Sequence, residues 1–333
     1  MNDLNANLKK IVFEMIRSGA PERATELSEM WETYAPEFIY SGDKPNFVLE
    51  AGAYRSLRLT DRTLRLIWMF GYIAWKTLHL YGGLIHVYSA KEAVFDVDEI
   101  ETDPEHESLN SEIQSLLKKF HDFKATASVA DCEWPSLVPA PAHCRPTNDD
   151  EETAVYDLVG MAMVYVFLHE LKHIQFSSDL MAPPCPIKEE LMCDKYARSF
   201  LFEKVANYSK TSGDALEKVI SKRAMAVALA SFLIFELTPT EARYGTDSHP
   251  PIGQRIRHVL DFPALKADDN YWLYLGSILI TKLRLMGAKP QAFRFNTKKN
   301  FCEKVFEVFA NHALQPTSGR DAACLGGALR SAS

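Results

Sequence analysis

The sequence predicts a mostly helical α+β fold with a small β-sheet. Apolar residues recur every three or four positions through several long segments, which is the spacing of helices with one buried face. β-prone residues are concentrated between Asn46 and Thr60, where they suffice for a hairpin or an edge strand. The 333 residues are 47% apolar and 24% charged, so the chain has an ordinary globular composition and can bury a sizeable core.

Residues 1–147 form the first predicted region. Helical periodicity covers residues 3–33, and Asp61 caps a second helix that is rich in Leu, Trp and Phe. Residues 92–117 carry nine acidic side chains and neither Lys nor Arg, which indicates a solvated face or a loop. The proline-rich stretch from Trp134 to Pro146 predicts either a linker or a strand on the substrate side of the next region.

Residues 148–314 form the second predicted region, which opens with a long helix. The segment from Thr147 to Glu152 supplies N-cap candidates and a cluster of negative charge, which is favourable at the positive end of a helix. From Val155 onwards one face of the helix is apolar until it reaches His169 and His173. An imidazole on a half-buried face needs a polar partner, so this face indicates a site rather than plain packing.

His169, Glu170 and His173 form the motif HExxH. Residues four apart on a helix share one face, so the two histidines can converge on one metal ion. Glu170 lies about 100° round the helix, where its carboxylate can reach a water at the metal instead of the metal itself. This arrangement is typical of a zinc peptidase. The alternative is a pair of surface histidines on an ordinary amphipathic helix, because so short a motif also arises by chance.

A third metal ligand is expected downstream, because catalytic zinc takes three protein ligands and leaves one position for water. A second helix is predicted from near Ile187, and Glu190 and Asp194 share one face of it. We interpret Glu190 as the third ligand and Asp194 as the carboxylate that accepts the free N–H of a ligand histidine. Glu189 is the competing ligand, although it points about 100° away from Glu190.

The same acidic residues have a simpler interpretation. A solvated helix face would also carry Glu190 and Asp194, with Lys188 and Lys195 as their partners. The neighbouring HExxH motif favours the metal site, because metal ligands need supporting carboxylates.

Three motifs in order resemble known peptidases. HExxH followed by E-x-x-x-D-x-x-A (Glu190, Asp194 and Ala197) resembles the gluzincins, the zinc peptidases whose third ligand is a glutamate. The run Ser-His-Pro-Pro-Ile-Gly-Gln-Arg-Ile at residues 248–256 resembles the S-H-P-P-x-x-x-R-I element of the HtpX and CAAX-prenyl-protease type. The resemblance implies a zincin-like metallopeptidase core, one Zn²⁺ per chain, and a sheet edge that holds the substrate.

His249 and Arg255 belong to the third motif. In a gluzincin-like site the oxyanion of the tetrahedral intermediate needs a donor besides the metal, and His249 is a reasonable donor or substrate-positioning group. Arg255 can pair with Glu190, Asp194 or the substrate. The alternative is that His-Pro-Pro is a helix-entry turn and that Arg255 forms a structural ion pair.

The chain resembles a family of soluble peptidases more than the membrane-bound HtpX type. HtpX-type relatives are commonly integral membrane proteins, whereas the two most apolar stretches here, Leu66 to Ala74 and Ala224 to Phe235, are shorter than about 18 residues and predict buried helices. The chain is similar to the Lit phage-exclusion peptidases, which carry HExxH in a chain of similar size. That resemblance implies a cytoplasmic bacterial protease acting on a protein substrate, with elongation factor Tu as the family's associated target.

Composition limits the other classes of function. The net charge is −7 and the chain has no basic run, which argues against a nucleic-acid partner. The N-terminus lacks the pattern of a signal peptide, and six cysteines without a C-x-x-C pair predict reduced thiols in a cytoplasm. Two alternatives stay open: a non-proteolytic binding module with a structural zinc, and an HtpX-like peptidase acting at a membrane surface without stable insertion. The sequence does not determine the oligomeric state.

The C-terminal part of the second region predicts two closing helices. They cover Tyr271 to Met286 and Lys298 to Leu314. The tail, residues 315–333, is rich in Gly, Ala and Ser without periodicity and is predicted to be disordered.

Overall fold

The computed structural model describes residues 2–40, 49–52, 56–140, 145–262 and 264–314. Within these ranges the chain is mostly helical, which confirms the predicted class. The helices described are α1 Asn2–Gly19, α2 Ala24–Tyr34, α3 Asp61–Lys91, α4 Val97–Thr102, α5 Glu107–Ala125, α6 Asp150–Asp179, α7 Pro186–Phe202, α8 Val205–Ser212, α9 Leu216–Leu237, α10 Ile252–Ile256, α11 Asn270–Leu285 and α12 Lys298–Ala313.

Strands in the described part of the chain form two small sheets. The first has the order β1–β3–β2, with β1 parallel and β2 antiparallel to the central β3. The second is an antiparallel pair of β4 and β5. The strand bounds are β1 Glu37–Tyr40, β2 Leu49–Gly52, β3 Ser56–Leu59, β4 Val94–Phe95 and β5 Phe293–Arg294.

The helix α6 lies at the centre of the fold. It packs against α1, α3, α7 and α9, and it also contacts β2. Phe167 on α6 meets Phe38 on β1 edge to face, with ring centroids 6.0 Å apart. The first sheet therefore lies against the helix that carries the HExxH motif.

Local capping sets the ends of α6 and the start of α7. The side chain of Asp149 accepts a hydrogen bond from the backbone N–H of Glu152 at 2.8 Å, as an N-cap residue does. The helix ends at Leu180, whose left-handed backbone (φ 54°) stops it. Pro186 then occupies the first turn of α7, where its missing N–H costs nothing. The turn between the two helices brings α7 back against α6.

The N-terminal segment is helical, as expected for residues 3–33, but it is divided into two helices. Helix α1 ends at Gly19 and a 3₁₀ turn begins at Pro21, whose ring cannot continue the helix. A Cβ placed on Gly19 would lie 2.8 Å from the side chain of Val164. Close packing of α1 on α6 therefore favours glycine at the point where α1 stops.

The acidic segment differs in part from its prediction. Residues 92–117 include α4 and the first half of α5, so most of the segment is helical and not a loop. The solvated-face interpretation does not hold for Glu101, whose side chain is 8% exposed and pairs with Arg284. Ile113 and Leu116 are buried on the inner side of α5, while its acidic residues lie on the outer side.

The prediction that no apolar stretch could span a membrane needs a correction. The helix α6 is long and apolar enough by length and composition, because few charged residues interrupt its central part. About two thirds of that stretch (67%) is buried inside the protein, as in the core helix of a globular fold.

Both predicted regions contribute to one hydrophobic core. The cluster of buried side chains extends from Val12 in α1 to Ala313 in α12. The division between residues 147 and 148 stays a prediction, and the predicted tail, residues 315–333, lies outside the described residues.

Candidate metal centre

Three predicted ligands come together between α6 and α7. The Nε2 atoms of His169 and His173 are 3.2 Å apart. Oε1 of Glu190 lies 3.3 Å from His173 Nε2, and Oε2 lies 3.4 Å from His169 Nε2. His169 and Glu190 are buried and His173 is partly buried. The group can therefore hold a metal ion.

The separations between these donors fit a small, tetrahedrally bound cation. Bonds of about 2.0–2.1 Å from nitrogen and oxygen give tetrahedral donor–donor distances of about 3.3–3.4 Å. The two Nε2 atoms are 3.2 Å apart, and each faces a different oxygen of Glu190, at 3.3 and 3.4 Å, so the separations are of the size that one such cation requires. Three protein donors leave the fourth position for water or substrate.

The other ring nitrogen of each histidine faces a different carboxylate. Oδ1 of Asp194 lies 2.9 Å from Nδ1 of His169, although the contact is bent away from ideal hydrogen-bond geometry. Oε1 of Glu189 lies 2.7 Å from Nδ1 of His173. A carboxylate on Nδ1 keeps the proton there and leaves Nε2 as the lone-pair donor, which is the orientation that a metal ligand requires.

This geometry separates the two adjacent glutamates. Glu190 faces both Nε2 atoms, whereas Glu189 contacts only Nδ1 of His173. The geometry therefore groups Glu190 with the two Nε2 atoms and places Glu189 beside Nδ1 of His173, and the choice of Glu190 as third ligand stays a prediction. Sequence reasoning considered Glu189 only as a competing ligand. The signal that it missed is the need of the second histidine for its own N–H acceptor.

Arg255 of α10 binds the carboxylate of Asp194. Its Nε and Nη2 atoms donate to the two oxygens of Asp194, each at 2.8 Å, in a bidentate pair. Its Nη1 lies 3.5 Å from Oε2 of Glu190. The hydroxyl of Tyr165, fully buried on α6, is 3.5 Å from Asp194 Oδ1. Asp194 thus lies between the ligand histidine and the guanidinium.

The excess of carboxylates controls the protonation of the histidines. Burial alone would lower the pKa of His169, but Asp194 and Glu190 raise it to about 9. Burial also opposes the charged form of His173, and Glu190 and Glu189 raise its pKa to about 9. Burial would raise the pKa of Glu190, but the two histidines hold it well below its usual range. The site attracts positive charge, whether it comes as protons or as a metal ion.

The two predicted catalytic residues lie near the ligands. Glu170 is partly buried on α6 and close enough to raise the pKa of both ligand histidines. His249 follows α9 in a loop, is 56% exposed, and points Nε2 towards Oε1 of Glu190 at 3.5 Å. All seven predicted site residues are thus gathered at one place, and their roles stay predictions.

A family comparison identifies the class of protein. A family model described as Peptidase U49 matches residues 57–275, about two thirds of the chain. The chain belongs to the Peptidase U49 family. The Lit protease belongs to the same family, so the predicted peptidase class is confirmed. Neither a curated protein nor a solved structure matches the chain.

The U49 match covers the whole candidate metal centre. Residues 57–275 include α6, α7 and α10 and therefore every residue predicted for the site. A U49 peptidase acts on protein or peptide substrates, as predicted.

Proposed function

We propose that this U49 peptidase is a zinc-dependent endopeptidase with a zincin-like core. The observation that carries the proposal is the donor triangle of His169 and His173 on the HExxH helix and Glu190 on α7, in which the two Nε2 atoms are 3.2 Å apart and each lies 3.3–3.4 Å from one oxygen of Glu190. Two imidazoles and one carboxylate are a donor set of catalytic zinc sites, and the open position distinguishes them from closed structural sites. One Zn²⁺ per chain is expected.

Glu170 is the proposed general base. A zinc ion bound by the triangle would lower the pKa of a water molecule towards neutrality and polarise the substrate carbonyl. Glu170 takes a proton from the attacking water and later delivers it to the leaving amine. Its position on α6, one residue after His169 and off the ligand face, suits this role because the carboxylate flanks the ligands without joining them.

His249 is the proposed donor to the developing oxyanion. Its exposed ring lies beside the ligands, with Nε2 directed towards Glu190. An N–H fixed beside the reacting carbonyl stabilises the negative charge that grows on its oxygen.

The pair of Asp194 and Arg255 supports the ligands in this proposal. Asp194 orients His169, and Arg255 fixes Asp194 through two hydrogen bonds. The loop that carries His249 leads directly into α10, which carries Arg255. The hydrogen bonds of Arg255 therefore connect this loop to the helices that carry the ligands.

The proposed substrate is a cytoplasmic bacterial protein. Membership of the family that includes the Lit protease supports a role in phage exclusion, with elongation factor Tu as the first target to test. The absence of a basic run keeps nucleic acid an unfavoured partner.

The test is proteolysis by the zinc-loaded protein and two matched variants. Elongation factor Tu and denatured casein would be incubated with wild type, Glu170→Gln and Glu170→Asp, and fragments read by mass spectrometry. Wild type should cleave at least one of them. Glu170→Gln should keep its zinc and lose activity by at least about 10³-fold, while Glu170→Asp keeps a residue able to carry protons and retains partial activity. Full activity of Glu170→Gln would contradict the role of Glu170 as general base.

A further inference from the structure

The loop that carries His249 is closed by hydrogen bonds around Thr246. Oγ1 of Thr246 accepts the backbone N–H groups of Ser248 (3.3 Å) and His249 (3.0 Å), and the Thr246 N–H donates to the carbonyl of His249 at 2.9 Å. Gly245 turns the chain with φ +98°, and a Cβ there would meet Pro251 at 3.1 Å. The backbone under His249 is thus fixed although the loop is exposed.

Ser248 contacts the imidazole itself. Its Oγ lies 2.8 Å from Nδ1 of His249 and 3.3 Å from Oγ1 of Thr246. Nδ1 is the ring nitrogen away from the metal centre, since Nε2 is the atom 3.5 Å from Glu190. The serine therefore contacts the far side of the ring from the ligands.

Counting donors and acceptors shows which directions these hydrogen bonds can take. A hydroxyl has one proton to donate and two lone pairs. Two backbone N–H groups occupy the lone pairs of Thr246, so in its contact with Ser248 the donor is Thr246. Ser248 keeps its own proton, which it can donate to Nδ1 of His249, 2.8 Å away. A neutral imidazole that accepts at Nδ1 carries its proton at Nε2.

In the metal-free protein the other side of the ring favours the same tautomer. Oε1 of Glu190 lies 3.5 Å from Nε2 of His249. The carboxylate repels a lone pair on Nε2 and attracts an N–H there, so both neighbours of His249 favour the proton on Nε2.

We propose that Ser248 is a positioning residue that locks His249 in the Nε2–H tautomer, with this N–H aimed at the open side of the metal centre. The inference rests on the proposed function, in which His249 donates to the oxyanion. Without Ser248 an exposed imidazole exchanges between tautomers and turns about its side-chain bonds, so only a fraction of molecules would present the donor.

The test combines a spectrum and kinetics on the zinc-loaded full chain. The ring nitrogens of His249 in ¹⁵N-histidine-labelled protein would be read by long-range ¹H–¹⁵N correlation in the neutral form, and assigned by their loss in His249→Ala. Wild type and the conservative variant Ser248→Thr should show the Nε2–H tautomer. Ser248→Ala should show a mixture, while Ser18→Ala, an exposed serine on α1, serves as the unaffected control.

The kinetics test whether the position of the proton on His249 matters for catalysis. One hydrogen bond of ordinary strength changes the ratio of the two tautomers about fivefold. The fraction of molecules with the proton on Nε2 would then fall from about five sixths to about one half, so Ser248→Ala should lower kcat about twofold with little change in KM. Ser248→Thr should restore the rate. His249→Ala should cost about 10²-fold, and adding Ser248→Ala to it should cost nothing more.

The outcomes separate the inference from the proposed function. An Nδ1–H tautomer in wild type, or an unchanged spectrum in Ser248→Ala, overturns the positioning role. A shifted spectrum with an unchanged kcat overturns its use in catalysis. If zinc-loaded wild type cleaves no protein, the proposed function fails, and the spectrum still decides whether Ser248 fixes the ring.

Discussion

Two clusters of charged side chains differ in the sign of their excess charge. The metal centre between α6 and α7 has more negative than positive groups, whereas a second cluster, at the ends of α5, α9 and α11, has more positive groups. In the second cluster Lys124 and Lys282 contact the single carboxylate of Glu236. Each of the three residues lies in the last turn of its helix, where the negative end of the dipole favours cations. Lys282 is fully buried, and burial followed by repulsion from Lys124 lowers its pKa well below the usual range.

The metal centre has the reverse balance. Four carboxylates, on Glu170, Glu189, Glu190 and Asp194, lie near two histidines, and the cation Arg255 contacts two of them, Asp194 and Glu190. With neutral histidines the group carries three excess negative charges. A divalent ion would remove most of this excess, whereas the second cluster is balanced by its own side chains and by three helix ends. The difference indicates that the second cluster stabilises the fold, whereas the metal centre has the charge to bind a cation.

The largest expected effect breaks the second cluster. Glu236→Gln leaves Lys282 buried without its anion, so the free energy of unfolding should fall by about 3–5 kcal/mol. Urea denaturation of the metal-free protein measures it. Glu190→Gln is the matched change in the metal centre. The histidines there can lose their protons and Asp194 stays paired with Arg255, so the loss of stability should be smaller. Equal losses in the two variants would contradict the contrast.

The metal-free centre should make stability depend on pH. The pKa of His169 and His173 is raised to about 9, so protonation stabilises the fold below the unfolded pKa of about 6.5 and this stabilisation is lost as pH rises through about 9. The loss should be on the order of 3 kcal/mol in total, because the two rings share Glu190. Denaturation at several pH values measures it. The slope should disappear with zinc bound, and a slope unaffected by zinc would contradict the site.

A smaller effect is expected at Glu189. Glu189→Gln keeps the size of the side chain but weakens the hydrogen bond to Nδ1 of His173, so zinc affinity should fall about 10-fold. Competition with a chelator of known affinity measures this change. Glu203→Gln, an exposed glutamate on the far end of α7, is the control. A loss of all zinc in Glu189→Gln would mean that this residue is itself a ligand.

The smallest effect is expected at the end of α6, outside both clusters. Leu180 is 92% exposed in a left-handed conformation (φ 54°), where asparagine or glycine is less strained. Leu180→Asn should therefore raise the free energy of unfolding by about 0.5 kcal/mol and leave zinc binding unchanged. A lower stability would show that this leucine makes a contact that supports the fold.

Local spacing explains how much of the molecule the sequence could predict. HExxH and the Glu190–Asp194 pair are four-residue intervals within single helices, so helix geometry alone brings each pair to one face. The pairing of α6 with α7 needed only the proline-marked turn between them. The peptidase class also followed from these motifs, and the family match confirms it.

Long-range partners were beyond that reasoning. The parallel pairing of β1 with β3 has no local signal, since parallel strands are joined by a distant connection. Lys124, Glu236 and Lys282 are far apart in the chain and meet only because three helices end together. The hydrogen bonds of Ser248 likewise depend on the loop conformation, which the short motif does not specify.

The most direct test of the central claim is the metal content of the purified protein. Inductively coupled plasma mass spectrometry on wild type, Glu190→Ala and the control Glu203→Ala, all prepared without chelator, would count zinc per chain. About one zinc per chain is expected in wild type and in the control, and most of it should be lost in Glu190→Ala. Wild type without zinc, after exposure to stoichiometric Zn²⁺, would contradict the metal centre and with it the zinc-peptidase proposal.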